Sequence, residues 1–346
     1  MIGRGRKRET GIRTPSRDAK RVLIIKLGAL GDFIQSLATA RIIREYHVGA
    51  RITLLTTPVF EAFAKASPYF DIVETDGRER DPQAVATMLQ RIRSTKYDMV
   101  YDLQTNGRTS NYFQGLRPWP PDWSGVAPGC SHPQTNPARE SMHTLDRLAD
   151  QLYEAGIAEQ HPIGAAPLPD LSWVRMSQKD PPRLQPAYFG LKQPYGLIIP
   201  GASVHRPEKR WPAERFGELA KRIIERGVTP AIIGHHDEKE AAAAILRVEP
   251  RAKNLVSRTD FFQLAALAER AAFSVGNDTG PMHIAAAAGS PCVVLFSAES
   301  DPDRVCPRGV GGVMAIRAAT LPEMTVQQVE QAIGNVGGFQ ALASAS

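Results

Sequence analysis

The chain has 346 residues and a formal net charge of +6, a length generous for one domain and sufficient for two of about 150 residues each, both with an apolar core. Three cysteines at irregular spacing, Cys130, Cys292 and Cys306, with no C-x-x-C, indicate neither a disulfide framework nor a zinc site and fit a reducing cytoplasm. The longest apolar stretch, residues 284–296, is short and interrupted by Gly289 and Pro291, so no membrane-spanning helix is expected.

Arg4, Arg6, Lys7, Arg8, Arg13 and Arg17 precede the first strand without the apolar segment of a signal sequence. They read either as a solvated, disordered tail over residues 1–19 or as an electrostatic contact to an anionic membrane surface or acidic substrate. Nucleic acid is disfavoured, because no aromatic residues are interleaved with the charges. Residues 22–27 then read as a buried strand, and the helix after Asp32 places Ile34, Leu37, Ala38 and Ile42 on one face. Residues 52–56 predict a second strand, 59–66 a helix, 72–74 a third strand, 88–92 a helix and 98–103 a further strand ending in the polar turn Gln104-Thr-Asn-Gly-Arg108. This alternation predicts a parallel sheet. Residues 117–137, dense in Pro, Gly and Trp, are too long for a plain connector; a binding loop is favoured over a disordered insertion. An amphipathic helix over 142–153 follows, and the proline-rich segment 161–194 marks the domain boundary.

The second half repeats the alternation. Residues 195–199, 230–233, 273–275 and 292–296 predict strands, while 262–268, 283–288 and 326–333 predict helices, as does the apolar face Phe216, Leu219, Ala220 and Ile223. The expected architecture is α/β, with two facing doubly wound Rossmann-like domains at 20–175 and 176–335, an interdomain cleft, and tails at 1–19 and 336–346.

Two segments, Arg21 to Asp32 and Gly276 to His283, each an apolar strand end followed by a glycine-bearing turn, carry most of the information, and a third turn follows the first strand of the second half. Gly28-Ala-Leu-Gly31 lacks the G-x-G-x-x-G pattern, and the second strand ends in Thr56-Thr57 where a ribose-binding acid would stand, so hydride transfer is disfavoured. Asp32, at the expected helix start, is either an N-cap or a general base facing a ligand gap. Pro200-Gly-Ala-Ser203 with Lys209-Arg-Trp-Pro212 combines a glycine turn, a hydroxyl, cations and a helix start with Pro212 in its first turn, which suits a diphosphate; alone, Lys209 and Arg210 would be surface charges. Asp278-Thr-Gly280 precedes a helix whose first turn holds Pro281, so its amides would point at a ligand, unless the segment is simply a capped helix; His283 could equally be a satisfied helix residue. Asp301-Pro-Asp303 is read as a turn rather than a metal site. In His235-His-Asp-Glu238 the adjacent histidines are expected to point apart, leaving Glu238 as a ribose hydroxyl acceptor or helix cap.

Lys26-Leu-Gly-Ala-Leu-Gly-Asp32, Lys209-Arg-Trp-Pro212 and Asp278-Thr-Gly-Pro-Met-His283 together resemble glycosyltransferase family 9, the heptosyltransferase-like enzymes of lipopolysaccharide core synthesis, over residues 21 to about 335. The resemblance implies a GT-B fold, an acceptor-binding N-terminal domain, a donor-binding C-terminal domain and inverting, metal-independent transfer from a nucleotide-diphosphate sugar without a cofactor. It implies Asp32 as general base, Lys209 as diphosphate ligand, Glu238 as ribose contact, and Asp278, Thr279 and Gly280 as donor-sugar and phosphate contacts. Ser203 and His283 join the donor side as candidates, and Gly28, Gly31, Gln104 and Arg108 are candidates for the acceptor side. Val204-His-Arg-Pro-Glu208 lacks the paired threonines of some heptosyltransferases. By this resemblance the donor is an ADP-linked heptose and the acceptor a lipopolysaccharide core or other glycan, met in the cytoplasm or peripherally at the inner face of the inner membrane. A sugar-nucleotide isomerase or hydrolase of the same fold is the alternative; it needs a second acid near the anomeric carbon. A binding protein without catalysis is a third.

Overall fold

The computed structural model describes residues 14–158, 166–177, 181–203 and 205–339. The chain divides into two compact units, Met1–Pro167 and Leu168–Ser346.

The first unit holds one six-stranded sheet, built from β1 (Arg21–Ile25), β2 (Arg51–Leu55), β3 (Ile72–Glu74), β4 (Met99–Asp102), β5 (Asp122–Gly125) and β6 (His132–Pro133). Its order is β3-β2-β1-β4-β5-β6, and every pairing is parallel. Parallel strands covered on both faces need continuous apolar runs, and Val22 to Ile25 are all buried, with Leu23 opposite Thr53 on one side and Val100 on the other. The core on one face gathers Leu23, Ile25, Met88, Ile92, Val100 and Trp123. The helix Pro82–Thr95 that supplies Met88 and Ile92 starts at Asp81, whose carboxylate accepts the Ala84 N–H (2.8 Å), with Pro82 in its first turn, and it stops at a left-handed Lys96 (φ 52°).

The second unit repeats the plan with β7 (Tyr195–Ile199), β8 (Thr229–Ile232), β9 (Lys253–Asn254), β10 (Phe273–Asn277), β11 (Cys292–Phe296) and β12 (Val313–Arg317). The order β12-β11-β10-β7-β8-β9, again all parallel, is the first unit's order read from the other edge. Phe216, Leu219, Ala220 and Ile223 of the helix Ala213–Glu225 pack on this sheet, and Trp211 meets Phe216 edge-on at 4.7 Å while its indole N–H donates to the Met324 carbonyl (3.0 Å). In both units the third strand lies beside the second, beside the first, and the order then reverses to the fourth. The crevice outside the carboxyl ends of the first and fourth strands is therefore the ligand position of this topology.

Several expectations need correction. The first helix runs Leu30–Tyr46 and so begins before Asp32, which is its third residue. Residues 117–137 are not a plain binding loop: β5 and β6 extend the sheet there, with Trp123 fully buried. Pro212 is the N-cap of its helix rather than part of the first turn. Strands β9 and β12 and the helix Lys239–Val248 were not anticipated. Of the basic segment, residues 1–13 lie outside the described residues, whereas the Pro15 carbonyl accepts from the Tyr46 hydroxyl (2.9 Å) and the Arg17 guanidinium lies 4.7 Å from the Tyr46 ring centre. At the other end, residues 340–346 lie outside the described residues, but Phe339 packs edge-on against Phe273 at 5.7 Å.

Candidate active site

In the second unit, β7 ends at Ile199 and runs into Pro200-Gly-Ala-Ser203, while β10 ends at Asn277 and runs into Asp278-Thr-Gly280. The two turns can approach because Gly276 has no side chain: a Cβ there would lie 2.4 Å from the Ile199 carbonyl oxygen. Asn277, fully buried, ties them together by donating to the Pro200 carbonyl (2.7 Å) and accepting from the Trp211 N–H (3.0 Å). This fixes the segment carrying Lys209 beside the one carrying Asp278. Lys209 Nζ donates to Asp278 Oδ2 at 2.7 Å, both side chains being mostly buried, and Ser300 Oγ donates to the same oxygen at 2.7 Å.

Thr279 is the N-cap of the helix Gly280–Ala287, with Pro281 in the first turn, so the positive end of the helix dipole lies beside this pair. His283 is buried within that helix. Ser203 is exposed in the β7 turn and its carbonyl accepts the Arg206 N–H (3.0 Å). Glu238 follows β8; its Oε2 accepts the His235 N–H (2.8 Å), and its carboxyl lies 3.9 Å from Arg210 and packs on Gly201, where a Cβ would come within 2.8 Å of it. Thus Lys209, Asp278, Thr279, Gly280 and Glu238 all lie at the carboxyl ends of the second unit's strands. Burial, with the Asp278 carboxylate adding to it, pushes the Cys306 thiol up to about 12, which makes it a neutral neighbour of the site.

His235 and His236 do not point apart. Their Nδ1 atoms are 2.5 Å from one another, and His236 Nε2 lies 2.6 Å from Asp237 Oδ1 on the ring's other nitrogen. These three exposed residues are the group among the described residues whose ligand atoms could hold a metal ion. Asp301 caps the short helix Pro302–Val305 by accepting the Asp303 N–H (3.1 Å).

In the first unit, Gly28 follows β1 with φ +121°, a conformation that favours glycine, with the Phe60 ring 3.4 Å from where a Cβ would stand. Gly31 is inside the helix Leu30–Tyr46. Asp32 is partly exposed, and its Oδ2 accepts the Ala29 N–H at 3.3 Å. It therefore satisfies one amide at the helix entrance from the third helical position and keeps its remaining acceptor capacity. Gln104 joins the ends of β1 and β4, its Oε1 accepting the Leu27 N–H (2.9 Å). Arg108 donates to the Glu79 carbonyl (2.9 Å) and the Tyr112 hydroxyl (3.3 Å), away from Gln104's bond.

The sequence reading passed over three groups here. Lys26 is buried and donates to the Leu103 carbonyl (3.0 Å); burial lowers its pKa, Asp32 and Asp102 oppose that, and Arg147 and Arg139 add to it. Asp102, fully buried, accepts the Thr105 (2.9 Å) and Gln104 (3.1 Å) N–H groups with Oδ1, while Oδ2 has no hydrogen bond; burial raises its pKa to about 6. Arg139 bridges Gln134 Oε1 (2.8 Å) and Thr105 Oγ1 (2.5 Å). A charged residue closing a buried strand was the available signal for Lys26 and Asp102; Arg139 and Ser300 carried none.

The two units with this strand order define an α/β protein of the GT-B class. The chain belongs to glycosyltransferase family 9 (heptosyltransferase), whose profile matches residues 147–333. It is similar to the lipopolysaccharide core heptosyltransferase OpsX of Haemophilus influenzae, 21% identical over 296 residues covering 83% of this chain and 82% of that one. It is also similar to the lipopolysaccharide heptosyltransferase 2 of Salmonella typhimurium, 32% identical over 168 residues, 46% and 47% of the two chains. Among solved structures, the family 9 glycosyl transferase of Veillonella parvula (TM-score 0.76, 20% identity, 92% and 97% covered) and the ADP-heptose lps heptosyltransferase II of E. coli (TM-score 0.75, 21% identity, 93% and 99% covered) share the fold. The protein is a glycosyltransferase.

Proposed function

We propose that this glycosyltransferase moves a heptose from an ADP-linked donor to a lipopolysaccharide core acceptor by a single displacement that inverts the anomeric centre. The observation that carries this reading is the Lys209–Asp278 pair at the carboxyl ends of β7 and β10, beside the start of the helix Gly280–Ala287. A cation and a helix N-terminus stabilise a leaving diphosphate, and a neighbouring carboxylate accepts from sugar hydroxyls. Lys209 is then the diphosphate ligand, Glu238 the ribose contact and Asp278 with Thr279 the donor-sugar contact. The names of the lipopolysaccharide heptosyltransferase relatives and an E. coli heptosyltransferase solved with ADP support the donor and acceptor classes.

Asp32 is the general base. It carries one weak hydrogen bond in the structure, so a free lone pair is available for the acceptor hydroxyl's proton in the transition state. The acceptor hydroxyl gives its proton to Asp32 while its oxygen bonds to the anomeric carbon, the anomeric C–O bond to the diphosphate breaks, and its electron pair leaves on the diphosphate, where Lys209 stabilises the charge without a divalent cation. The enzyme acts on an acceptor at the inner face of the inner membrane.

Calorimetric titration with ADP, GDP and UDP, followed by turnover of ADP-heptose with core oligosaccharide in the presence of a chelator, tests this reading. ADP should bind in preference, and Asp32→Asn should lower kcat roughly a hundredfold or more with donor affinity nearly intact. Full turnover in that variant would remove Asp32 from the role, and donor cleavage independent of acceptor would favour a hydrolase.

A further inference from the structure

The segment following β11 reaches back at two points, to Asp278 of the Lys209–Asp278 pair and to Arg206, three residues before Lys209. Ser300 Oγ donates to Asp278 Oδ2 (2.7 Å), and one residue earlier Arg206 donates to both the Glu299 carbonyl and its Oε2 (3.2 Å each) while also pairing with Glu208 (3.0 Å). Lys209 Nζ donates to the same Oδ2, also at 2.7 Å. Two donors converging on one carboxylate oxygen restrict the carboxylate's rotation and spend that oxygen's acceptor capacity. No described residue donates to Oδ1, which is left to accept from a ligand.

We infer that Ser300 is a positioning residue for the donor sugar: it holds Asp278 so that Oδ1, rather than Oδ2, meets the sugar hydroxyls. This rests on the proposed role of Asp278 as the donor-sugar contact. When the diphosphate arrives, Lys209 turns part of its three-donor capacity to the phosphate oxygens, and Ser300 becomes the partner that keeps Asp278 in place. A hydroxyl does this without adding charge next to the leaving group. Arg206 and Glu299 anchor the segment on which Ser300 stands, so that the serine is presented by a strap fixed at a neighbouring residue rather than by a free loop.

The consequence is specific to the sugar. Ser300→Ala removes one hydrogen bond to a charged group, so the KM for ADP-heptose should rise on the order of tenfold. If the contact serves ground and transition states alike, kcat should stay within about twofold. The affinity for ADP, which lacks the sugar, should not change, nor should the thermal midpoint. Ser300→Thr keeps the hydroxyl at a partly exposed position and should restore the KM. Asp278→Asn is measured alongside. A raised KM in Asp278→Asn with an unchanged KM in Ser300→Ala would overturn the role of Ser300 and leave Asp278 as the sugar contact. An unchanged KM in Asp278→Asn would overturn the sugar contact and the inference with it. Equal weakening of ADP and ADP-heptose in Ser300→Ala, or failure of threonine to restore, would reduce Ser300 to a general structural role and so also overturn it.

Discussion

Asn277→Ala is the perturbation that most directly tests how the second unit assembles its site. Asn277 has no exposed surface, and its amide serves the Pro200 carbonyl and the Trp211 N–H, both of which are buried. The further contact to the Gly201 carbonyl at 3.4 Å is too long to count for much. Alanine leaves a buried acceptor and a buried donor without partners, at about 1–3 kcal/mol each, so the cost is roughly 2–6 kcal/mol before any loss from the vacated volume. For a unit of this size that corresponds to a fall in Tm of roughly 5–20 °C. Function should suffer too, because Trp211 stands two residues after Lys209, and releasing its N–H loosens the segment that sets Lys209 against Asp278. Thermal unfolding followed by circular dichroism, with donor KM measured well below the transition, checks both parts. A midpoint within about 2 °C of the parent would refute the reasoning that this amide holds the two turns. A lowered midpoint with unchanged donor KM would refute only its extension to Lys209.

How far the sequence led can be judged strand by strand. β1, β7 and β11 are legible because a parallel strand covered on both faces has to be an unbroken apolar run, and Val22–Ile25, Tyr195–Ile199 and Cys292–Phe296 are such runs. Three of the four edge strands escaped, two of them for the complementary reason. β9 is Lys253–Asn254 and β6 is His132–Pro133, so neither carries the hydrophobic signal from which a strand is inferred, whereas β12 does hold an apolar run, Val313 to Ile316, that was passed over. The helix Lys239–Val248 buries chiefly Ala242, Ala244 and Ile245, a face too small to stand out beside the histidines and acids that precede it. At the site, the glycine turns announced themselves because close approach and positive φ require glycine at Gly276 and Gly28. Ser300 did not, because it lies 22 residues from Asp278 in the chain and only the β10–β11 crossover brings it near. The misplaced start of the first helix has a local cause: Ala29 takes the cap position, and Asp32 reaches back to its N–H from inside the helix, so an acid that resembles an N-cap in sequence acts one turn later.

Removal of residues 1–13, which carry Arg4, Arg6, Lys7, Arg8 and Arg13, should weaken binding to anionic vesicles in a salt-dependent manner while leaving Pro15 and Arg17 packed on Tyr46; equal sedimentation of both forms with such vesicles would show the segment has no part in membrane contact. Asp102→Asn tests the buried carboxyl of the first unit. Burial raises its pKa from the ordinary 3.8 to about 6, so the folded state holds this proton over a range in which the unfolded chain has released it. Between about pH 4 and 6 the folded state binds more protons, and the group's contribution to stability therefore falls as pH rises, the full penalty of about 3 kcal/mol being reached above pH 6. Asparagine does not titrate, and its Oδ1 can still accept the Gln104 and Thr105 N–H groups, so the variant should gain on the parent by about that amount between pH 4 and pH 7. Urea unfolding at the two pH values measures the gain directly, because the other carboxylates contribute equally to both proteins and cancel in the difference. A stability difference that is flat across this window, or that moves against the variant as pH rises, would mean that Asp102 is ionised at little cost and that Lys26, whose charge acts on it, compensates its burial in full.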